Sequence, residues 1–193
     1  EIFAEGSFTE ASPTLKLHSA HAAVALNDGR VLISGGTGET GNESRAVELY
    51  DPDLGAFELL PSMADVRFRH TATLLPDGRV LVTGGFDEDS AELYDPVSNT
   101  WEETASMTSA RYNHTATLLQ DGRVLVVGGY NSAESKIART EIYDPETEIW
   151  SDAGDLNKAR DEHSATLLPD GRVLVVGGRG SSGNISNAEV FSP

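Results

Sequence analysis

From His70 to Gly85 the chain runs through a His, a Thr-Ala-Thr-Leu-Leu stretch, a Pro-Asp-Gly turn, an Arg-Val-Leu-Val stretch and a Gly-Gly pair. The segments from His114 to Gly129 and from His163 to Gly178 repeat it almost letter for letter, and a looser copy extends from His21 to Gly36. The second Gly of each pair falls at Gly36, Gly85, Gly129 and Gly178, so the steps are 49, 44 and 49 residues. A period of that length is one supersecondary unit copied along the chain, and each copy must bury its faces against its neighbours. No other property of the sequence restricts the fold as strongly. It restricts function much less, because a repeated frame carries its specificity in the loops that differ between copies.

Residues 67–110 serve as the type unit. Thr71 to Leu75 is short, β-branched and apolar, as a buried strand requires, and Pro76-Asp77-Gly78 supplies a tight hairpin turn. Val80-Leu81-Val82 is a second strand that Gly84-Gly85 ends, Ala91 to Tyr94 a third that Asp95-Pro96 stops, and Trp101 lies on a fourth, outer strand. Four antiparallel strands per repeat make the blade of a β-propeller, and no amphipathic helical spacing is long enough to compete. Bare backbone at Gly84-Gly85 suits a crowded inter-blade contact, while Tyr94 and Trp101 fill the space between blades. Their counterparts Tyr50 and Phe57, then Tyr143 and Trp150, are expected in the core as well.

A Gly-Gly pair followed by a Tyr and a Trp at this period, as in Gly84-Gly85, Tyr94 and Trp101 and again in Gly128-Gly129, Tyr143 and Trp150, resembles the kelch repeat. The resemblance covers nearly the whole chain. It implies an all-β propeller of four-stranded antiparallel kelch-type blades, and it implies little chemistry: many kelch domains are interaction modules, and a minority sit inside enzymes such as galactose oxidase. The copper chemistry of that enzyme does not carry over, since its ligand set has no match at positions here. The expected organisation is a single propeller domain over 1–193, with repeats of about 18–66, 67–110, 111–159 and 160–193.

Residues 1–17 are expected to close the ring. Glu1-Ile2-Phe3 reads like the third strand Glu92-Leu93-Tyr94, and Phe8 stands ten residues before His18 as Trp101 stands ten before Arg111. Ala188 to Phe191 is a third strand with no fourth after it, so the N-terminal strand would complete the last blade. Such ends also allow strand exchange between copies and thus a homo-oligomer. A closed four-bladed ring, a piece of a longer chain and a partial ring completed by a second copy all remain open.

Composition narrows the partners. With 14 Lys and Arg against 31 Asp and Glu the net charge is −17, which repels a nucleic-acid backbone and an anionic membrane surface. No apolar run approaches the ~20 residues that span a bilayer, so no membrane insertion is expected. The absence of cysteine removes disulfides and thiolate metal sites and leaves the compartment unmarked.

Catalytic constellations are missing: there is no nucleophile elbow, no phosphate-cradling loop followed by a helix and no zinc-protease helix. No cofactor and no metal are expected. His21, His70, His114 and His163 each open the same strand of a different unit, which points to a structural role such as a hydrogen bond to a neighbouring Asp-Gly turn. Arg67, Arg111 and Arg160, three residues before the His, are expected to pair with the recurrent Glu92, Glu141 and Glu189; His18 in the Arg slot of the first unit is a departure expected to loosen that blade. What varies is the loop after each Gly-Gly pair and the segment before each His, which emerge on one face. Phe68, Phe86, Tyr112 and Tyr130 are not required by the frame, and Arg69, Asn113, Asp161 and Arg179 add polar groups beside them. These eight are the candidate binding residues, for a protein or carbohydrate partner. The bland alternative is that the aromatics only cover loop backbone. The function expected is non-enzymatic binding. The alternatives are a fragment or accessory domain of a galactose-oxidase-like or other carbohydrate-active enzyme, and an excised or engineered scaffold that self-assembles.

Overall fold

The structure, a computed structural model, describes residues 11–16, 18–38 and 41–193. Blade one is the sheet β1 (Ala22–Ala25), β2 (Val31–Ser34), β3 (Val47–Asp51) and β4 (Ala56–Leu60), in that order. Blade two repeats it with β5 (Thr71–Leu74), β6 (Val80–Thr83), β7 (Ala91–Asp95) and β8 (Thr100–Thr104). Blade three has β9 (Thr115–Leu118) and β10 (Val124–Val127), then a small loop hairpin of β11 (Tyr130–Asn131) and β12 (Ser135–Lys136), then β13 (Arg139–Asp144) and β14 (Ile149–Asp155). Blade four has β15 (Ser164–Leu167), β16 (Val173–Val176), the loop hairpin β17 (Arg179–Gly180) and β18 (Gly183–Asn184), and β19 (Ala188–Phe191). All pairings are antiparallel, and the described residues contain no helix. Of the expected closing segment, residues 1–17, residues 1–10 and 17 lie outside the described residues and residues 11–16 form no strand; the described fourth blade has three strands.

The blades stack in chain order, the inner strand β1 lying beside β5, β5 beside β9 and β9 beside β15. Each junction is an apolar layer of the same design. Between blades two and three, Leu75, Leu81, Leu93 and Met107 meet Val124, Val126 and Tyr143, with Trp150 at the margin. Register puts the aromatic pair opposite one another, Tyr94 across from Trp101 and Tyr143 across from Trp150, with ring centroids 5.0 Å apart in both.

A second set of contacts runs through every junction. Arg111 donates from Nη1 to the Gly128 and Arg139 carbonyls, 2.9 Å each, and from Nη2 to Glu141 at 2.6 Å, all within its own blade. Its own carbonyl accepts from Gly85 of the preceding blade at 3.0 Å. Arg67 and Arg160 do the same, toward Gly36 at 2.7 Å and Gly129 at 2.8 Å. The approach is so close that a Cβ on Gly84 would lie 2.5 Å from the Arg111 oxygen, and Gly84 adopts a φ of +67°. Glycine is required there on both counts. His18 stands in for the guanidinium in the first blade: its two ring nitrogens reach the Gly35 carbonyl at 2.8 Å and Glu48 at 2.9 Å, two of the contacts the Arg residues make elsewhere.

The histidines bond differently from expectation. Their partners are not Asp-Gly turns but hydroxyls of the preceding blade: His70 Nε2 to Ser34 at 2.9 Å, His114 Nε2 to Thr71 at 3.0 Å and His163 Nε2 to Thr115 at 2.9 Å. Each Nδ1 is buried without a partner, which assigns the proton to Nε2, since a bare lone pair is cheaper to bury than a bare N–H. A belt of backbone bonds lies next to them, Arg69 donating to the Ala20 carbonyl at 2.8 Å, Asn113 to Arg69 at 3.1 Å and Glu162 to Asn113 at 3.1 Å.

Two core assignments are corrected. Tyr50 is half-buried because no blade packs against it among the described residues, and Phe57, Trp101 and Trp150 are all half-buried because they lie on the outer strand of a blade. Leu174 is half-buried beside an exposed Val176 in the fourth blade. Leu93 inside the stack is 2% exposed, whereas its counterpart Val190 is 48% exposed.

Two outcomes are expected from these contacts. Arg111→Ala strands the buried Glu141 carboxylate and should cost about 3–5 kcal/mol in urea unfolding. Arg111→His, able to copy the contacts of His18, should cost less. The second outcome concerns acid. Burial, assisted by the Arg67 charge, lowers the His70 pKa to about 3; burial and Arg160 lower His163 to about 4, and burial holds His114 well below its ordinary value. Their folded pKa values lie beneath the unfolded one near 6.5, so the native state refuses protons that the unfolded chain accepts. Stability is therefore complete above pH ~6.5 and falls as pH drops toward 4, by up to about 1.4 kcal/mol per pH unit for each histidine. Urea midpoints measured between pH 7 and 5 should show this slope, and His114→Gln should make it shallower by about one proton.

Candidate functional site

The Gly-Gly pair sends the chain out of the second strand of each blade into the variable loop, and the segment before each His returns it on the same side. Backbone pairing joins the two. Ser19 bridges Thr37 in blade one, Tyr112 bridges Tyr130 in blade three, and Asp161 bridges Arg179 in blade four. Phe68 and Phe86 hold the same places in blade two, with ring centroids 5.2 Å apart. Each blade thus presents one pair of side chains at a fixed place, and the pairs differ completely: Ser and Thr, two Phe, two Tyr, Asp and Arg.

Side chains of neighbouring pairs meet across the blades. Phe86 stacks between Phe68 and Tyr112, and Tyr112 leans on Tyr130, with all three centroid separations at 5.2 Å. Lys136, from the loop hairpin of blade three, lies 4.8 Å over the Tyr130 ring and bonds Asp161 at 2.5 Å. Arg69 stands 6.0 Å from the Phe68 ring, and Asn113 donates to Asp161 at 3.5 Å. All eight residues singled out in the sequence therefore lie in one continuous row across blades two to four. Phe86 is exposed, the other three rings are half-buried and Asp161 is buried. Burial raises the Tyr112 phenol above its ordinary pKa, so it stays protonated and able to donate.

The sequence did not mark Lys136, although it is the one Lys in the longest variable loop. Asp87 was missed too: its carboxylate accepts from the Ser132 amide at 2.8 Å and from the Ser132 hydroxyl at 2.5 Å, tying the loop of blade two to that of blade three. Beside the row, Thr37, Asn42, Glu43, Val66, Phe68 and Phe86 line a shallow cleft. A second cleft lies on the opposite side among Pro76, Asp77, Gly122, Arg123 and Glu146. There the Asp-Arg turns repeat in all four blades, Arg Nε donating to the Asp carboxylate at 2.8 Å in each. Among the described residues no group of three or more His, Cys, Asp or Glu is arranged to hold a metal ion.

Four stacked antiparallel blades, joined at three junctions through their glycines and each with an outward loop pair, define a β-propeller frame that displays loops. The family described as the KLHDC2/KLHL20/DRC7 Kelch-repeats domain matches residues 20–192, and the chain belongs to the kelch-repeat family. No curated protein matches it.

The row makes its own prediction. Phe86→Ala removes the ring shared by two stacks and should lower stability by about 1–2 kcal/mol while leaving the β-sheet circular dichroism unchanged. A larger loss would mean that the row is part of the fold rather than a surface resting on it.

Proposed function

We propose that the chain is a non-enzymatic binding propeller that holds a protein partner along the row from Phe68 to Arg179. The observation that supports this most is the contrast between frame and row. Inside each blade the Arg, His, Gly-Gly and Glu positions do the same structural work, whereas the paired loop position changes from hydroxyls to aromatics to an ion pair. The row also has the composition of a protein-binding surface: rigid aromatic groups with an exposed edge, flanked by Arg and Lys, on a chain whose net charge is −17. Kelch propellers generally serve as protein-interaction frames.

The test uses a partner recovered by affinity capture on the parent chain. The triple variant Arg69→Ala, Tyr112→Ala, Tyr130→Ala should bind that partner at least about tenfold more weakly while melting within a few degrees of the parent. Binding that survives the triple variant but fails when the turns at Asp77 and Asp121 are altered would move the site to the opposite face.

A further inference from the structure

Four carboxylates are buried among the described residues: Glu48, Glu92, Glu141 and Asp161. The first three are the third-strand Glu positions, each held by the His or Arg that pins its own blade. Asp161 has no part in that frame. It stands on the loop face, where the same place carries Ser19, Phe68 and Tyr112 in the other blades, none of them charged. A carboxylate out of water is costly unless it is paired, and three blades of four do without one here, so the frame does not call for it.

What surrounds Asp161 has the chemistry of an ammonium site. Lys136 Nζ donates to Asp161 Oδ1 at 2.5 Å and lies 4.8 Å over the Tyr130 ring, so the cation meets a carboxylate and an aromatic face at once. The second carboxylate oxygen has only the longer Asn113 Nδ2 contact at 3.5 Å. The Asp161 side chain is 4% exposed and that of Lys136 16%, so the lysine is the member of the pair more open to solvent. Lys136 reaches the slot from β12, where its backbone pairs with Tyr130, and Ser132 to Ser135 beside it are exposed. The ammonium can leave by turning its flexible stem while the hairpin stays in place.

We propose that the slot between Tyr130 and Asp161 is a binding subsite for a primary ammonium group, filled within the single chain by Lys136, through which the row takes a lysine side chain of its protein partner. This rests on the reading of the row as the partner-binding surface. The partner's lysine replaces Lys136, one ammonium for another, so Asp161 keeps a countercharge throughout and the released Lys136 returns to water. A lysine stem is the occupant the slot already accommodates. The net charge of −17 draws a cationic partner toward the chain. Lys136 acts as a threshold: the slot is open only in the fraction of molecules whose stem has turned out, and the apparent affinity falls by that fraction.

Lys136→Ala empties the slot and allows a test without the partner. n-Butylammonium chloride, the lysine side chain without its backbone, should raise the melting temperature of this variant by about 3 °C or more at about 100 mM, relative to sodium chloride at the same concentration. It should leave the parent and the double variant Lys136→Ala, Asp161→Asn unmoved. No gain in Lys136→Ala overturns the proposal. With the captured partner, the parent's binding should be competed by n-butylammonium more than by sodium chloride, a measurement that needs no variant to fold. Lys136→Ala should bind that partner about threefold or more tighter, because the internal competitor is gone, whereas Asp161→Asn should bind it at least about tenfold more weakly. A pair that only props up the hairpin predicts weaker binding for both variants, and that result, or the lack of competition, also overturns the proposal. Partner binding that ignores the triple variant of Arg69, Tyr112 and Tyr130 sinks the reading of the row instead.

Discussion

The buried guanidinium between the Gly-Gly pair and the third-strand Glu is the contact on which the architecture rests. Arg111 is fully buried, an expensive place for a charge, and it is tolerated only because Glu141 and two carbonyls surround it. That arrangement pins the segment before the inner strand to the middle of its own blade. Once pinned, the same residue points its carbonyl at the preceding blade, where only a glycine admits it. Intra-blade order and inter-blade docking are thus set by one residue, and the spacing between Arg, Gly-Gly and Glu in the sequence is the imprint of that double duty.

The histidines add a condition to this. Each is buried as a neutral ring against a hydroxyl of the previous blade, and the nearby guanidinium opposes its protonation. A cationic node and a neutral donor stand side by side at every junction. The acidity that the carboxylate-rich surface would tolerate is limited by the interior instead.

Much of this was legible in the sequence because the repeat supplies its own controls. Strand limits, turns and the Arg-Glu pairing follow from comparing Arg67, Arg111 and Arg160 in their contexts. The candidate row was legible by subtraction, since Phe68, Phe86, Tyr112 and Tyr130 break an otherwise fixed pattern. What escaped the reading lies between blades. A period along the chain does not say which hydroxyl of the preceding unit a His will meet, so the Ser34, Thr71 and Thr115 partners were missed. Lys136 escaped because its partners, Tyr130 and Asp161, sit on different blades. Tyr50 was assigned to the core by analogy with interior units, and among the described residues no neighbouring blade buries it; the Trp positions were assigned there too, and an outer strand leaves one edge of each ring open.

The two residues at the loop position of blades one, three and four bridge each other through their backbones, so the frame beneath is set without their side chains. Tyr112 and Tyr130 can be exchanged for another pair without disturbing Arg111 or Gly128, whose hydrogen bonds use none of their side-chain atoms. Because Phe86 touches both Phe68 and Tyr112, a ring changed in one blade alters the packing of the next, and the side chains of the row are linked to one another even though the frame is indifferent to them.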